Sequence, residues 1–315
     1  MKHTSFRGLI AGVSAVLIMA LLFSCSFGAD DSGTVKLSLT DAPIADAQSV
    51  EGVFITITSI EYNLNGAWIV DPGFSGPRTF NLLELTGGTV ALLSTTEFSS
   101  GQVNQIRFLL DAQQDGATPD ASPGSYIVID SRGTADGVID ENDDVYELFV
   151  PSGDQSGFKA VGSFTIPKNG EVEITADFDV RKSVVKRGSL DEYILKPTIR
   201  LVVNNQAGTI AGTFSAGSET YQAFTVFAYA DGSYTDSEAP VGTEADTFIP
   251  FEHAVSSTAA STTEGSYSIP FLAAGTYDLV IVGVGADGSY TVIDSMTYHD
   301  VVVAAGSTST QNVSL

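Results

Sequence analysis

The sequence predicts an all-β protein in which two consecutive β-sandwich domains follow an N-terminal export segment that is removed. Three observations lead to this prediction. Short stretches alternate apolar and polar residues and are separated by Gly, Pro and Asn, as is typical of strands and turns. No long stretch repeats apolar residues every 3.6 positions, as an amphipathic helix would. The composition also changes after Arg200, because residues 201–315 contain neither Lys nor Arg.

The first 24 residues carry the pattern of a secretion signal. Lys2 and Arg7 give a positive start, and residues 8–23 are nearly all apolar. A membrane-spanning helix needs about 20 apolar residues, and this run is shorter. We therefore predict that the segment is cleaved, which leaves residues 25–315 as the mature chain.

Cys25 is the only cysteine of the chain, and it follows the apolar run directly. The segment Leu22-Phe23-Ser24-Cys25 resembles the lipobox of bacterial lipoproteins. This resemblance implies a lipoprotein signal peptide at residues 1–24, a diacylglycerol on the thiol of Cys25 and an acyl chain such as palmitate on the new amino group. Two or more acyl chains anchor a protein stably, whereas one does not. Residues 25–33 would then be a tether. The open alternative is a fortuitous cysteine at the end of an ordinary signal peptide.

The charge of the chain excludes one class of partner. There are 14 Lys plus Arg against 38 Asp plus Glu, which gives a net charge of −24. Nucleic-acid binding depends on cations that neutralise phosphates, so we exclude it, and the same charge opposes adsorption to anionic lipid headgroups. The partners that we predict are a membrane, through the lipid on Cys25, and an envelope polysaccharide or protein.

The first domain is predicted at residues 34–204. Residues 35–40 alternate apolar and polar, which predicts a half-buried strand, and Pro43 ends it because proline cannot donate to a strand ladder. Further strands are predicted at 53–60, around Trp68, and at 79–85, 105–110, 162–166, 171–180 and 193–203. The acidic segment between residues 111 and 147 is interpreted as a loop.

Several short motifs of this domain carry a family resemblance. They are Thr40-Asp41-Ala42-Pro43, residues 150–159, Asp177-Phe178-Asp179 and Leu195-Lys196-Pro197. Their ordered series resembles bacterial lipoproteins that carry domain of unknown function 4382 (DUF 4382), over residues 33–203. The resemblance implies an exported β-domain attached to the cell envelope. It implies no activity, so no catalytic residue is carried over.

The second domain is predicted at residues 207–315, after the turn-prone segment 204–208. Residues 208–214 and 265–279 resemble the carboxypeptidase regulatory-like sandwiches, which implies an immunoglobulin/transthyretin-like fold. Alternation within the second stretch predicts that Tyr267 and Ile269 point to one side of a strand and that a turn follows at residues 274–275.

We do not predict an enzyme or a required cofactor. Only His253 and His299 remain after processing, and no serine lies in a nucleophile elbow. Asp177 and Asp179 would lie about 7 Å apart on one strand face, a spacing that inverting glycosidases use. We interpret them instead as exposed acids that are solvated or form salt bridges with the nearby cations Arg181 and Lys182.

The acidic segment raises the question of a metal ion. Residues 136–143 resemble the second half of a calcium loop, but Arg132 and Thr134 would take its first ligand positions, so an EF-hand is excluded. The remaining hypothesis is an irregular calcium site, whose ligands would be Asp136, Asp140, Asp143 and Asp144. The alternative is an acidic loop that only faces solvent.

Together these patterns predict an exported, lipid-anchored protein of the cell envelope with a structural or binding role and no catalysis. We expect the outer membrane or the cell surface rather than the inner membrane. One alternative is a carbohydrate-binding accessory module, suggested by the aromatic residues Trp68, Tyr221, Tyr229 and Tyr234 if they are exposed. The other is a hydrolase that uses acidic residues.

Overall fold

The computed structural model describes residues 31–42, 49–132, 138–151, 157–187, 192–240, 249–260, 264–285 and 289–315. Nearly all regular structure in these ranges is β, which confirms the predicted fold class. They also hold one helical turn, α1 (Val180–Ser183), and short 3-10 segments at Leu82–Glu84, Asn204–Gln206 and Asp236–Glu238. No helix in the described ranges has the length and apolar character that crossing a membrane requires.

The strands are numbered in chain order. Those before residue 204 are β1 (Ser32–Ala42), β2 (Val50–Leu64), β3 (Ala67–Val70), β4 (Arg78–Asn81), β5 (Ala91–Ser99), β6 (Gly101–Leu110), β7 (Tyr126–Asp130), β8 (Asp143–Phe149), β9 (Phe158–Ala160), β10 (Phe164–Ile166), β11 (Glu171–Asp179), β12 (Val184–Lys186), β13 (Tyr193–Leu195) and β14 (Ile199–Val203). Those after residue 206 are β15 (Ala207–Ser215), β16 (Ala223–Ala230), β17 (Ser256–Ala260), β18 (Glu264–Ala273), β19 (Gly275–Val284), β20 (Tyr290–Asp294), β21 (Val301–Val303), β22 (Thr308–Thr310) and β23 (Val313–Ser314).

Strands β1 to β14 build two sheets. The first sheet has the order β14-β11-β1-β5, and the second has the order β10-β6-β2-β7-β8-β13-β12, with β3 and β4 on β2 and β9 on β6. Alternation makes Leu37 and Leu39 of β1 point inward, where they meet Ile55 and Ile57 of β2 in one buried cluster. Strand β1 extends to Ala42, and Pro43, which was predicted to end it, lies outside the described residues.

Three sequence-based expectations for these sheets are wrong. The strand expected at 193–203 is two strands, because β13 pairs with β8 and β12 in the second sheet whereas β14 pairs with β11 in the first. The acidic segment is not a loop throughout, because β7 and β8 pair within it and Ile127 and Leu148 are buried. The strand expected at 79–85 stops at Asn81, whose side chain accepts a hydrogen bond from the Leu83 N–H and caps the 3-10 segment Leu82–Glu84. In the acidic segment, Asp and Glu residues within β7 and β8 obscured the alternation. At residues 79–85, the Asn81 side chain caps the 3-10 segment and the strand ends there.

Strands β15 to β23 build two further sheets. The third sheet has the order β18-β15-β22 with β23 on β15, and the fourth has the order β17-β16-β19-β20 with β21 on β19. Tyr267 and Ile269 are buried in one cluster with Leu279, which confirms that they share a strand face. The chain passes at Ala274 from β18 in the third sheet to β19 in the fourth, at the predicted turn.

Strand β16 is buried on both of its faces. Phe224 and Val226 point into the sandwich, whereas Phe227 and Tyr229 point outward and are covered by the segment that contains Phe251. The fourth sheet therefore has a covering layer on its outer side. Every described strand pair lies wholly before or wholly after Asn204–Gln206. That the two parts fold independently remains a prediction.

Candidate functional site

Two of the family motifs, at residues 40–43 and 177–179, meet at one end of the parallel pair β1–β11. The register places Thr40 opposite Asp177 and Ala42 opposite Asp179. Asp41 Oδ1 accepts a hydrogen bond of 3.0 Å from the N–H of Val180, the first residue of α1. Because β1 and β11 are separated by about 130 residues in the sequence, this meeting of motifs exists only in the folded chain.

Asp177 and Asp179 are ion-paired, as predicted, but they are not exposed. Their exposed fractions are 6% and 7%. Arg200 Nε lies 2.9 Å from Asp177 Oδ2, and Asp179 Oδ2 lies 3.0 Å from Arg181 Nη2 and 3.1 Å from Lys182 Nζ. The expectation of an exposed pair of acids is wrong because β14 and α1 bring cations over both carboxylates. The arrangement leaves no open carboxylate pair for a glycosidase reaction at this position.

The two carboxyl groups respond differently to their surroundings. Burial raises the pKa of Asp177 above its ordinary range, and the attraction of Arg200 only partly opposes it. Burial also acts to raise the pKa of Asp179, but Arg181 and Lys182 together outweigh it and hold that pKa below the ordinary range. Of the two carboxyl groups, Asp179, which faces two cations, is therefore the one whose ionised form its surroundings favour more strongly.

The cations of α1 extend the motif cluster to the second part of the chain. The Arg181 side chain is only 5% exposed, and its Nη1 donates to the carbonyl oxygen of Phe251. Its guanidinium also lies 5.3 Å from the ring centre of Phe227. Lys182 Nζ donates to the carbonyl oxygen of Ala254 at 2.9 Å. The first sandwich therefore contacts the covering layer of the fourth sheet through two side chains of one helical turn.

The segment that contains Phe251 and Ala254, whose carbonyls α1 contacts, is itself held by a buried acid, Glu238. Its Oε2 accepts from the hydroxyl of Tyr229 at 2.9 Å and from the N–H of His253 at 3.0 Å, and its Oε1 lies 2.9 Å from His253 Nδ1. Burial, together with this neighbouring acid, raises the pKa of Tyr229 far above its usual value. Sequence reasoning missed Glu238, since no local motif marks it.

A second group of acids lies where β2, β7 and β8 adjoin. Oxygen atoms of Glu51, Asp130 and Asp143 all lie within 4.8 Å of one another. Asp130 and Asp143 are cross-strand partners, and Glu51 is the extra residue at a register shift in β2. Of the predicted calcium ligands that the structure describes, only Asp143 belongs to this group. Glu51 was missed because a single acid in a strand gives no signal in the sequence.

One cation already serves this group. Arg132 Nε and Nη2 lie 3.0 Å and 2.9 Å from the two carboxylate oxygens of Asp130, and these hydrogen bonds hold the pKa of Asp130 below its ordinary range. Asp143 Oδ2 accepts from the N–H of Asp140, whereas Asp143 Oδ1 is buried with no hydrogen-bond partner among the described residues. This orphaned oxygen is the feature that suits a cation.

The carboxylates of Asp140 and Asp144 do not belong to this group. Asp140 Oδ1 accepts from the backbone and side chain of Asn142, and these bonds hold the pKa of Asp140 below its ordinary range. Asp144 is exposed and follows Asp143 directly on β8, so that its side chain points to the other face of the sheet. Asp136 and the predicted lipidation residue Cys25 lie outside the described residues.

The four aromatic residues considered for sugar binding do not form one surface. Tyr229 is fully buried, and Tyr221 and Tyr234 are half-buried against Phe224 and Tyr229 respectively. Trp68 is 38% exposed. Only this last residue fits the expectation of an aromatic ring at the surface.

Comparison with known proteins gives one family match. A sequence model described as "Domain of unknown function (DUF4382)" matches residues 32–197. No curated protein matches the chain.

Solved structures that share similarity with the chain are distant. A leucine-rich repeat protein from Bacteroides thetaiotaomicron is 10% identical at a TM-score of 0.20, and the match covers 90% of this chain and 26% of that protein. The Bacillus anthracis TIE protein is 12% identical at a TM-score of 0.19, and the match covers 89% of this chain and 34% of that protein. The minor pilin GBS52 from Streptococcus agalactiae is 12% identical at a TM-score of 0.20, and the match covers 89% of this chain and 96% of that protein. The chain thus spans about a quarter to a third of the first two structures, and likeness at this level carries no functional argument.

Proposed function

The chain belongs to the DUF4382 family, and from this premise we propose that it is an exported, lipid-anchored protein of the cell envelope whose role is structural rather than catalytic. One observation carries this proposal. Asp41, Asp177 and Asp179, which belong to the family motifs, are buried and bonded to backbone or cations. Residues used in this way hold a fold together, and they are not available to a substrate.

The contacts of α1 suggest what the structural role is. Arg181 and Lys182 hold the covering layer of the fourth sheet against the first sandwich. The first sandwich would therefore set the position of the second one relative to the membrane. The second sandwich, for which we retain the carboxypeptidase regulatory-like assignment, would be the part presented outward, at the outer membrane or the cell surface.

The proposed anchor lies close to the folded part. Strand β1 begins at Ser32, seven residues after Cys25. At about 3.6 Å per residue, the tether spans at most about 25 Å. A tether this short would keep the first sandwich near the lipid headgroups, in agreement with a protein that acts at the envelope.

Replacing Cys25 with alanine is expected to move the protein from the membrane fraction to the soluble fraction, because the thiol that carries the lipid is lost and two acyl chains account for stable anchoring. The measurement is the share of protein that sediments with membranes after a high-salt wash, together with incorporation of labelled palmitate. Ser26→Ala is the matched control, since it changes the neighbouring residue and keeps the thiol. A Cys25→Ala protein that still sediments would place the anchor elsewhere.

Calcium binding is a second candidate function, favoured by the orphaned Oδ1 atom of Asp143 beside Glu51 and Asp130. Calcium takes six to eight oxygen ligands in flexible geometry, so backbone carbonyls and waters would complete the shell. The salt bridge from Arg132 limits what Asp130 can give, and the site would be correspondingly weak.

Millimolar calcium is expected to raise the melting temperature, since an ion that binds only the folded state adds about 2.7 kcal/mol at a hundredfold excess over Kd. Magnesium at equal ionic strength should do less, because it demands a stricter octahedral shell. The Asp143→Asn variant should lose the calcium effect, whereas Asp144→Asn, on the other face of β8, should keep it. Equal effects of both ions on all three proteins would indicate charge screening and contradict a site.

A further inference from the structure

A surface centred on Trp68 lies at the outer face of the second sheet. Trp68 is on β3, the short strand at the edge of β2, and it is the only tryptophan of the chain. The strand register places Trp68 opposite Asn63, and Asn63 opposite Gln105. These three side chains therefore stand in one row across three strands. We call them, with Asn104, Glu61 and Arg107, the Trp68 surface.

A second row runs beside the first. Glu61 lies between Val70 and Arg107, and Arg107 is followed by Lys159 on β9. Neighbouring strands are about 4.8 Å apart, so the two rows cover a width of about 10 to 14 Å. Tyr62, between the rows on β2, is fully buried, which shows that the rows face outward.

A β-bulge adds an amide to this surface. The register between β2 and β6 shifts after Asn63, which leaves Asn104 as the extra residue on β6. A bulge re-aims the side chain of the extra residue, and the Asn104 side chain is exposed and its Nδ2 donates to Asn63 Oδ1 at 3.2 Å. The bulge therefore gathers three amides beside the indole, each of which offers both donors and an acceptor.

The indole is held in place and the charge around it is compensated. The Arg107 guanidinium lies 4.3 Å from the Trp68 ring centre and forms an ion pair with Glu61. Stacking with a planar cation orients the ring and covers one of its faces. Glu61 and Arg107 neutralise each other and Lys159 ends the row, so this part of a chain with net charge −24 presents aromatic and amide groups with no local excess of acid.

From this geometry we propose that the Trp68 surface binds an uncharged polysaccharide. A pyranose ring would stack on the exposed indole, as apolar ring faces do on aromatic side chains, and its hydroxyl groups would bond to the amides of Asn63, Asn104 and Gln105. The acidic field of the whole protein repels polyanions, which favours a neutral glycan over an acidic one. The inference deepens the proposed envelope role and rests on its export step, and it does not depend on the lipid at Cys25.

The single tryptophan makes binding directly measurable, because fluorescence excited selectively over tyrosine reports on Trp68 alone. The detergent-solubilised full chain is titrated with laminarin, dextran and xylan as neutral probes and with alginate as the anionic probe. We expect a saturable change in emission with a neutral probe and none with alginate. No response to any of the three neutral probes, or tighter binding of alginate, would overturn the proposal.

Variants locate the site. A double variant, Asn63→Ala with Gln105→Ala, keeps the fluorophore and should weaken binding about 5- to 150-fold, at about 0.5–1.5 kcal/mol for each lost hydrogen bond. Trp68→Ala, followed by calorimetry, should abolish it. Leu92→Ala, an exposed position on β5 of the first sheet, should leave the affinity within about twofold.

Two further outcomes would count against this assignment. Unchanged affinity in Trp68→Ala, with a native circular dichroism spectrum, would place any glycan elsewhere on the protein. A concentration-dependent dimer that Trp68→Ala removes would make this face an interface between two copies of the chain. The fractionation of Cys25→Ala is independent of both, so failure here and failure of the anchor are distinguishable.

Discussion

The free energy of unfolding of the Asp179→Ala variant is expected to be about 3–5 kcal/mol lower than that of the wild type. Removing one partner of a buried ion pair leaves the other charge uncompensated, which has a cost of this size. Here the remaining charges are those of Lys182 and Arg181. Arg181 is 5% exposed, and its Nε has no hydrogen-bond partner among the described residues. The variant also removes the acceptor for the Lys182 N–H at the start of α1. Urea unfolding followed by circular dichroism measures the loss.

The same strand supplies the control for this experiment. Glu173 lies six residues earlier on β11 and pairs with Lys36 at 3.5 Å, but its side chain is 53% exposed. Exposed pairs contribute between about 0 and 1 kcal/mol, so Glu173→Ala should cost less than about 1 kcal/mol. Equal effects of the two variants would mean that the pair at Asp179 is no stronger than a surface pair.

The pH dependence gives an independent check on Asp179. Its pKa in the folded protein lies below the ordinary value of 3.8 because Arg181 and Lys182 outweigh the effect of burial. A carboxyl group whose pKa is lower in the folded protein than in the unfolded chain stabilises the fold at pH values above its unfolded pKa. This stabilisation is lost as the pH falls through the folded pKa. The difference in unfolding free energy between wild type and Asp179→Ala should therefore be constant near neutral pH and shrink below about pH 4. A difference that does not change in acid would contradict the charge-pair explanation.

Local pattern was enough to predict most individual strands of this chain. Alternation in residues 35–40 located β1 to within a few residues. The parallel pairing of β1 with β11 could not be predicted, because the partners are about 130 residues apart and no turn between them fixes a register. The burial of Asp177 and Asp179 was missed because β14 and α1 bring cations over the two carboxylates, and alternation within β11 does not reveal this.

The candidate sites divide in the same way. Trp68 was identified from its residue type, but the amide that Asn104 adds depends on a bulge, which only the pairing of β2 with β6 reveals. Tyr229 was wrongly grouped with Trp68. The run of residues 223–230 is almost continuously apolar, and such a run indicates a strand that is buried on both faces. This signal was present in the sequence and would have predicted that Tyr229 is buried.

The second large effect on stability is expected in the covering layer on β16. Phe227 is fully buried, stacks on Phe251 with 4.5 Å between ring centres, and lies under the Arg181 guanidinium. Replacing a buried phenylalanine with alanine removes apolar contacts and leaves a cavity, at a cost of about 3–5 kcal/mol. We expect Phe227→Ala to lower the stability of residues 207–315 by this amount, as measured by calorimetry on the full chain. Val302→Ala, at a position that is 65% exposed, should change it by less than about 0.5 kcal/mol.

The Phe227→Ala variant also tests whether α1 couples the two parts of the chain. If Arg181 stabilises the contact by stacking on Phe227, the double variant with Arg181→Ala should be less destabilised than the sum of the single variants. The expected coupling is about 0.5–2 kcal/mol, the range of a cation–π contact that is shielded from water. Additive effects would mean that the hydrogen bond from Arg181 to the Phe251 carbonyl joins the sandwiches without help from the ring. A loss below about 1 kcal/mol for Phe227→Ala alone would contradict a packed covering layer, and with it the rigid connection through which the first sandwich is proposed to position the second.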